Sequence, residues 1–224
     1  MYLKPLEKLI KLRNANSTDE FWKGVFSRVP GQTVVLLIDF KGESQPTLNM
    51  LKKQLEPLRK LDYLTYWNGT TRVLRPLTIV ASGKAKLSDI MTLDSSHRDI
   101  FFDAPLISLH SDVEDDFTMD PPTYKFNISN SYYASGELKD GVMARINNDE
   151  SSIASQDASN GQLGQAQDRG LVSRYWGSAG PKYQTTEQIM WGFLIQVGMG
   201  ILNMDDMSAV RDRTRGMGKL TIQE

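Results

Sequence analysis

Asp39 and Lys41 stand two residues apart where an apolar run ends, in VVLLIDFK (34–41). On a strand, positions i and i+2 share a face. The pair therefore sets a carboxylate that can ligate a divalent cation beside an ammonium that can hold an anionic oxygen. A salt bridge closing the mouth of the sheet is the structural alternative, and an acid abutting five apolar residues needs a partner in either case. Arg174 and Trp176 repeat the spacing in RYW. A guanidinium clamps phosphate and an indole walls a pocket against an apolar or choline-like group, although a structural tryptophan fits the pattern equally. Asn203 and Asp205 share one face of GILNMDD with Asp206 on the other, and one of these acids also suits the N-terminus of a following helix, DDMSAVRDR. Asp103 ends FFD ahead of Pro105, and Asn127, Ser129 and Ser131 alternate in a way that predicts a polar strand face.

The chain has two histidines, His97 in SSHRD ahead of a strand and His110 in a loop after ISL. Their positions do not make a catalytic pair. No G-x-S-x-G elbow supports a serine triad, and no Gly-rich phosphate loop follows the first strand. GQLGQAQDRG (161–170) has the glycines without the preceding strand or the spacing. The acidic run SDVEDDFTMDPP (111–122) lacks the glycine and terminal glutamate of an EF-hand and reads as a solvated loop.

Positioning such groups requires a regular scaffold, and the hydrophobic periods supply one. Leu3, Leu6, Leu9 and Ile10 predict a first helix. Ser17 and Glu20 form a capping-box pair ahead of Phe21, Trp22, Val25 and Phe26, predicting a second. Leu48, Leu51, Leu55 and Leu58 predict a helix over the sheet, bent or shortened by Pro57. Further helices are predicted at 157–169 and 185–197. Strands are predicted near 33–40, 77–81, 99–103, 124–129, 171–175 and 200–204, with a hairpin around the Asn-Gly at 68–69. Strands alternating with helices, each ending in a polar residue, read as α/β with a parallel sheet whose site lies at the strand C-termini.

Composition narrows the chemistry. With no cysteine among 224 residues, disulfides, thiolate metal sites and cysteine nucleophiles are excluded. Lys and Arg number 26 against 27 acids, which gives no general drive toward nucleic acid. The apolar stretches at 34–38 and 191–202 are too short or interrupted to span a membrane. The amphipathic first helix is not a signal core, so localisation stays open on sequence.

The strand ends, taken in order, carry a resemblance. LLIDFK (36–41), YLTYWNGTTRVLRPLTIVASG (63–83), HRDIFFDAPL (97–106), NISNSYYAS (127–135), RGLVSRYWG (169–177) and GMGILNMDD (198–206) are similar to the later part of the fungal phospholipase C-like phosphodiesterases. That family is related to glycerophosphodiester phosphodiesterases and to spider-venom-type phospholipases D. The resemblance implies a TIM-barrel-like fold acting on phospholipid or glycerophosphodiester, in lipid metabolism, with Mg2+ or Ca2+. It makes Asp39 a metal ligand and Lys41 a catalytic phosphate or transition-state contact, lines the pocket with Trp176 and sets Asp205 at the mouth of the last strand; with Arg174, read above as a phosphate clamp, the last two make the expected substrate-binding set.

The same resemblance places the family's two catalytic histidines and first acidic ligands on strands upstream of these segments. It implies one domain over 1–224, N-terminally truncated, with about six of eight strands, weak or absent metal binding and no activity as given. It also implies open sheet edges capable of self-association. Two other readings fit the residues: a non-catalytic α/β domain serving as a binding or interaction module, and a hydrolase using Asp103 and Asp205 as paired acids.

Overall fold

The structure is a computed structural model that describes residues 2–15, 21–109, 125–138, 161–177, 194–195 and 198–203. Helix α1 (Leu3–Asn14) leads to strand β1 (Val34–Phe40), then α2 (Ser44–Lys60). A small antiparallel hairpin follows, β2 (Tyr66–Trp67) and β3 (Arg72–Val73), across the Asn-Gly turn. Next come β4 (Leu77–Gly83), α3 (Leu87–Met91), β5 (Phe101–Pro105), β6 (Ser131–Glu137), β7 (Val172–Trp176) and β8 (Ile201–Leu202). Six of the strands form one open sheet in the order β1-β4-β5-β6-β7-β8, every pair parallel. This sequential parallel order is that of an incomplete TIM-type barrel.

The two faces of the sheet are set by the period of two. Phe40, Leu77, Ile79, Ala81, Phe102, Ala104, Ala134 and Tyr175 join the α2 leucines Leu48, Leu51, Leu55 and Leu58 in one buried cluster. Each buried leucine contributes about 2 kcal/mol by leaving water. Pro57 lies inside α2, yet the helix runs on to Lys60. Arg59 near its end clasps the buried Asp99, with Nε–Oδ2 at 2.5 Å and an Nη2 bond at 3.2 Å, tying α2 to the entry of β5.

Two predicted elements differ. Residues 21–29 are not helical, because neighbouring side chains take up their backbone groups. Asn14 bonds both the N–H and the carbonyl of Lys23, and Arg13 reaches the carbonyls of Val25 and Phe26. Gly24 N–H donates to the Pro30 carbonyl and the Trp22 indole N–H to that of Leu74.

The fourth sheet strand starts at Ser131, not near 124. Asn127 accepts from Ser129 N–H on its side chain and from Asn130 and Ser131 N–H on its carbonyl, folding 127–130 into a turn before the ladder begins. Asn127 and Ser129 thus belong to a turn and not to a polar strand face. Ser131 pairs with Phe102 of the core and donates its hydroxyl to Asn130. The predicted helix at 157–169 is described over 161–168. The one at 185–197 and the acidic loop at 111–122 fall almost wholly outside the described residues.

Candidate active site at the strand ends

Opposite the helix-covered face lies the inner face of the sheet. Asp39 of β1 alternates with core residue Phe40, Ser82 of β4 is its register partner, and Asp103 of β5 sits between the core residues Phe102 and Ala104. A β-bulge carries this face into β6. The register shifts between Phe102 and Asp103, so Phe102 pairs with Ser131 while Asp103 pairs with Tyr133. The shift gives Tyr133, Ser135 and Glu137 to the inner face, where Ser135 pairs with Arg174 and Glu137 with Trp176.

Asp39 and Lys41 form an ion pair at 2.5 Å, with the carboxylate about half exposed and the ammonium more so. The pair therefore occupies the C-terminal edge of β1 within reach of solvent. Arg174 lies across the sheet, its Nη1 donating to Ser135 Oγ at 3.4 Å and its Nη2 to Asn203 Oδ1 at 2.7 Å. Both acceptors are neutral, and among the described residues the guanidinium has no salt bridge. Trp176 stands two residues further out and is exposed at 43%. Asp205 and His110 lie outside the described residues.

Between these groups sits Asp103. Its Oδ2 accepts from Ser82 Oγ at 2.7 Å, while its Oδ1 is buried without a hydrogen-bond partner. Burial pushes this carboxyl above the usual carboxylate range, against the lowering effect of the Ser135 and Ser82 hydroxyls and the Arg174 charge. Burial likewise raises the neighbouring Tyr133 phenol to about 12, so it stays protonated at neutral pH.

The other end of the inner face is closed by the hairpin. Arg72 lies over the rings of Phe101 and Tyr132 and donates to the carbonyls of Ile128 and Ser131. Burial lowers its pKa to about 10, which leaves it cationic at neutral pH. His97 belongs to this N-terminal end too, stacked 4.0 Å from Tyr66 of the hairpin. It precedes the start of β5, whereas Asp103 and Pro105 lie toward that strand's C-terminal end.

Sequence reasoning passed over Ser82, Ser135 and Glu137. Alternation from Asp39 through the register would have found Ser82; the other two depend on the bulge, which has no sequence signature in SYYASGE. For a divalent cation the donor set is thin. No group of three or more His, Cys, Asp or Glu side chains among the described residues is placed to hold a metal. Asp39 is one donor, and Asp103 is turned to Ser82. The described residues therefore do not make a cation cage, and the metal remains an implication of kinship. Among the described residues no helix is long and apolar enough to cross a membrane.

The family model for the AIM6-like phosphodiesterase domain matches residues 1–103. Over 218 residues the chain is 28% identical to the altered inheritance of mitochondria protein 6 homolog of Arthroderma benhamiae, covering 94% of this chain and 64% of that protein. It is 29% identical to altered inheritance of mitochondria protein 6 of Eremothecium gossypii (94% of this chain, 54% of that one). The Saccharomyces cerevisiae S288c protein of that name is 26% identical (92% and 55%). The chain thus spans about half to two thirds of the length of these relatives. No solved structure gives a significant match. Matches running along nearly all of the chain, on a sheet with the strand order of an incomplete barrel, support its kinship with the AIM6-like phosphodiesterase family.

Proposed function

We propose that residues 1–224 act as one phosphodiesterase-type domain whose strand-end face binds a phosphodiester, and that this chain alone binds without turnover. Arg174 and Lys41 hold the phosphoryl oxygens, Trp176 lines the entrance, and Asp39 holds Lys41 toward the site. The observation that carries the reading is the Arg174 guanidinium. It is fixed at the mouth by two neutral oxygens, Ser135 Oγ and Asn203 Oδ1, and so presents a positive charge with no carboxylate bound to it among the described residues. A planar fork of donors held in that state suits phosphate. The phospholipid and glycerophosphodiester substrates of the reading come from kinship, as does Mg2+ or Ca2+.

Turnover needs a proton donor for the leaving group, worth roughly 100- to 10,000-fold. His97 is spent on the opposite end of the sheet, stacked on Tyr66. Calorimetric titration of the purified chain with glycerophosphoglycerol, with and without Mg2+, tests the reading. The expected result is saturable binding, weakened about tenfold or more by Arg174→Ala, with hydrolysis at the background rate. Binding untouched by Arg174→Ala sinks the site. Metal-dependent turnover abolished by Asp39→Ala sinks the claim of inactivity. An interaction module of the alternative kind would bind no phosphodiester at all.

A further inference from the structure

Asp103 and Arg174 carry opposite charges on one face of the sheet, yet Arg174 bonds only neutral oxygens among the described residues. Asp103 belongs to β5 and Arg174 to β7, and β6 runs between them. The β6 residue in register with Arg174 is Ser135. Its Oγ accepts from Arg174 Nη1 at 3.4 Å. The same hydroxyl faces Asp103, where together with Ser82 it opposes the upward push of burial on the carboxyl pKa. Arg174 is near enough for its charge to act on Asp103 in the same sense. The outer ends of this row are held as well, Asp103 by Ser82 Oγ at 2.7 Å and Arg174 by Asn203 Oδ1 at 2.7 Å. A polar row thus crosses the sheet from β4 to the end of β8, with one neutral hydroxyl between its anion and its cation. Away from water such charges attract strongly. Asp103 Oδ1, buried without a hydrogen-bond partner, stands open to a guanidinium.

We propose, resting on the phosphodiester reading above, that Ser135 is a positioning residue whose hydroxyl keeps the Arg174 guanidinium from pairing with Asp103, so that its charge stays available at the mouth of the sheet. A hydroxyl suits the place because it presents its hydrogen to a carboxyl and a lone pair to a guanidinium at once. Without it, Arg174 Nη1 loses its acceptor and turns to the bare Asp103 Oδ1, a stronger partner because it is charged. The ion pair so formed cancels the charge that holds a phosphoryl oxygen. Ser135 therefore holds an ion pair apart and leaves an anion site in its place.

Two measurements on the full chain decide it. The first needs no ligand: the Asp103 carboxyl is titrated by carbon NMR, its signal assigned by its absence from Asp103→Asn. Ser135 lowers that carboxyl's pKa where it stands, so removing a mere polar neighbour by Ser135→Ala would raise it. Removing a spacer lets Arg174 reach the carboxyl, and the pKa falls below that of the parent chain. The fall is the expected result, and a rise or no change overturns the proposal. The second measurement is calorimetric titration with glycerophosphoglycerol. Ser135→Ala should bind about tenfold more weakly than the parent, and Ser135→Thr, which keeps the hydroxyl, within about twofold of it. The Ser135→Ala, Asp103→Asn double variant leaves Arg174 no carboxylate to pair with there and should regain most of the loss. Ser135→Ala binding like the parent overturns the proposal, as does a double variant no better than the single one. Ser135→Ala gains an ion pair for the bond it loses, so a variant that fails to fold also overturns it. Absence of binding by the parent chain overturns the phosphodiester reading and leaves the carboxyl titration to decide the role of Ser135.

Discussion

Gly83 lies against Asp39 with no room for a side chain: a Cβ at position 83 would collide with Asp39 Oδ1 and come within 2.8 Å of the Phe40 carbonyl. Its φ of +67° also lies in the left-handed region that favours glycine. The end of β4 is therefore shaped around the strand-end carboxylate of β1. Gly83→Ala combines a strained backbone, about 1–3 kcal/mol, with displacement of Asp39. The variant should unfold at a clearly lower urea concentration than the parent chain and should lose the Asp39–Lys41 pairing. Equal urea midpoints would show that the loop after β4 relaxes freely.

Lys41 separates binding from stability. Its ammonium is exposed and its ion pair with Asp39 is a surface one, a kind that adds little to folding. Lys41→Ala should leave the thermal midpoint where it was while weakening phosphodiester binding by about threefold to tenfold. Scanning calorimetry and the phosphodiester titration read the two quantities on the same sample. A fall in midpoint with binding unchanged would assign Lys41 to the scaffold.

The elements legible in the sequence were those whose signal is their own burial. VVLLIDF, the leucines of α2 and the Asn-Gly hairpin each carry a period or a turn that nothing tertiary overrides. The segment at 21–29 has an apolar spacing that suits a helix, but Asn14 and Arg13, 9 to 13 residues earlier in the chain, claim its backbone instead. The alternation at 124–129 suits a strand, but Asn127 and Asn130 close a turn there through their own side chains, so β6 starts only at Ser131. Within the site, Asp39, Lys41, Asp103 and Arg174 stood out as polar residues ending apolar runs. The bulge that turns Tyr133 and Ser135 to the same face could not be seen without the register.

Arg59 and Asp99 make a largely buried ion pair between helix and sheet. The Asp99 side chain is 6% exposed and takes both guanidinium bonds, at 2.5 and 3.2 Å. Removing one partner strands the other charge, which is the destabilising case for a buried pair, at about 3–5 kcal/mol. Arg59→Met should therefore lower the unfolding free energy by roughly 3 kcal/mol, and the Arg59→Met, Asp99→Leu double variant should recover part of the loss. Urea denaturation of the two single variants and the double one closes the cycle. A double variant as unstable as the sum of the singles would show that the two side chains act independently.

Asp103 should make this chain less stable at neutral pH than it needs to be. Burial holds its carboxyl above the ordinary value of 3.8 in the folded state, whereas the unfolded chain titrates near that value. The folded form thus takes up a proton at a higher pH than the unfolded form. The stabilisation that protonation brings is complete below the unfolded pKa and is lost as pH rises through the folded one. At pH 7 the ionised group is folded at a disadvantage, with one oxygen satisfied by Ser82 and the other bare. Asp103→Asn keeps the shape and an oxygen for Ser82 but carries no charge at any pH. The variant should melt above the parent chain at pH 7, by a difference corresponding to about 1 kcal/mol. The gap should close as pH falls toward 4, because the parent then protonates and the variant does not change. All other acid-induced losses are common to both chains and cancel in the difference. Melting curves of both proteins between pH 7 and pH 4 supply the measurement. A variant less stable at pH 7, or a gap that stays constant across the range, would show that the Asp103 carboxylate is fully satisfied in the folded chain.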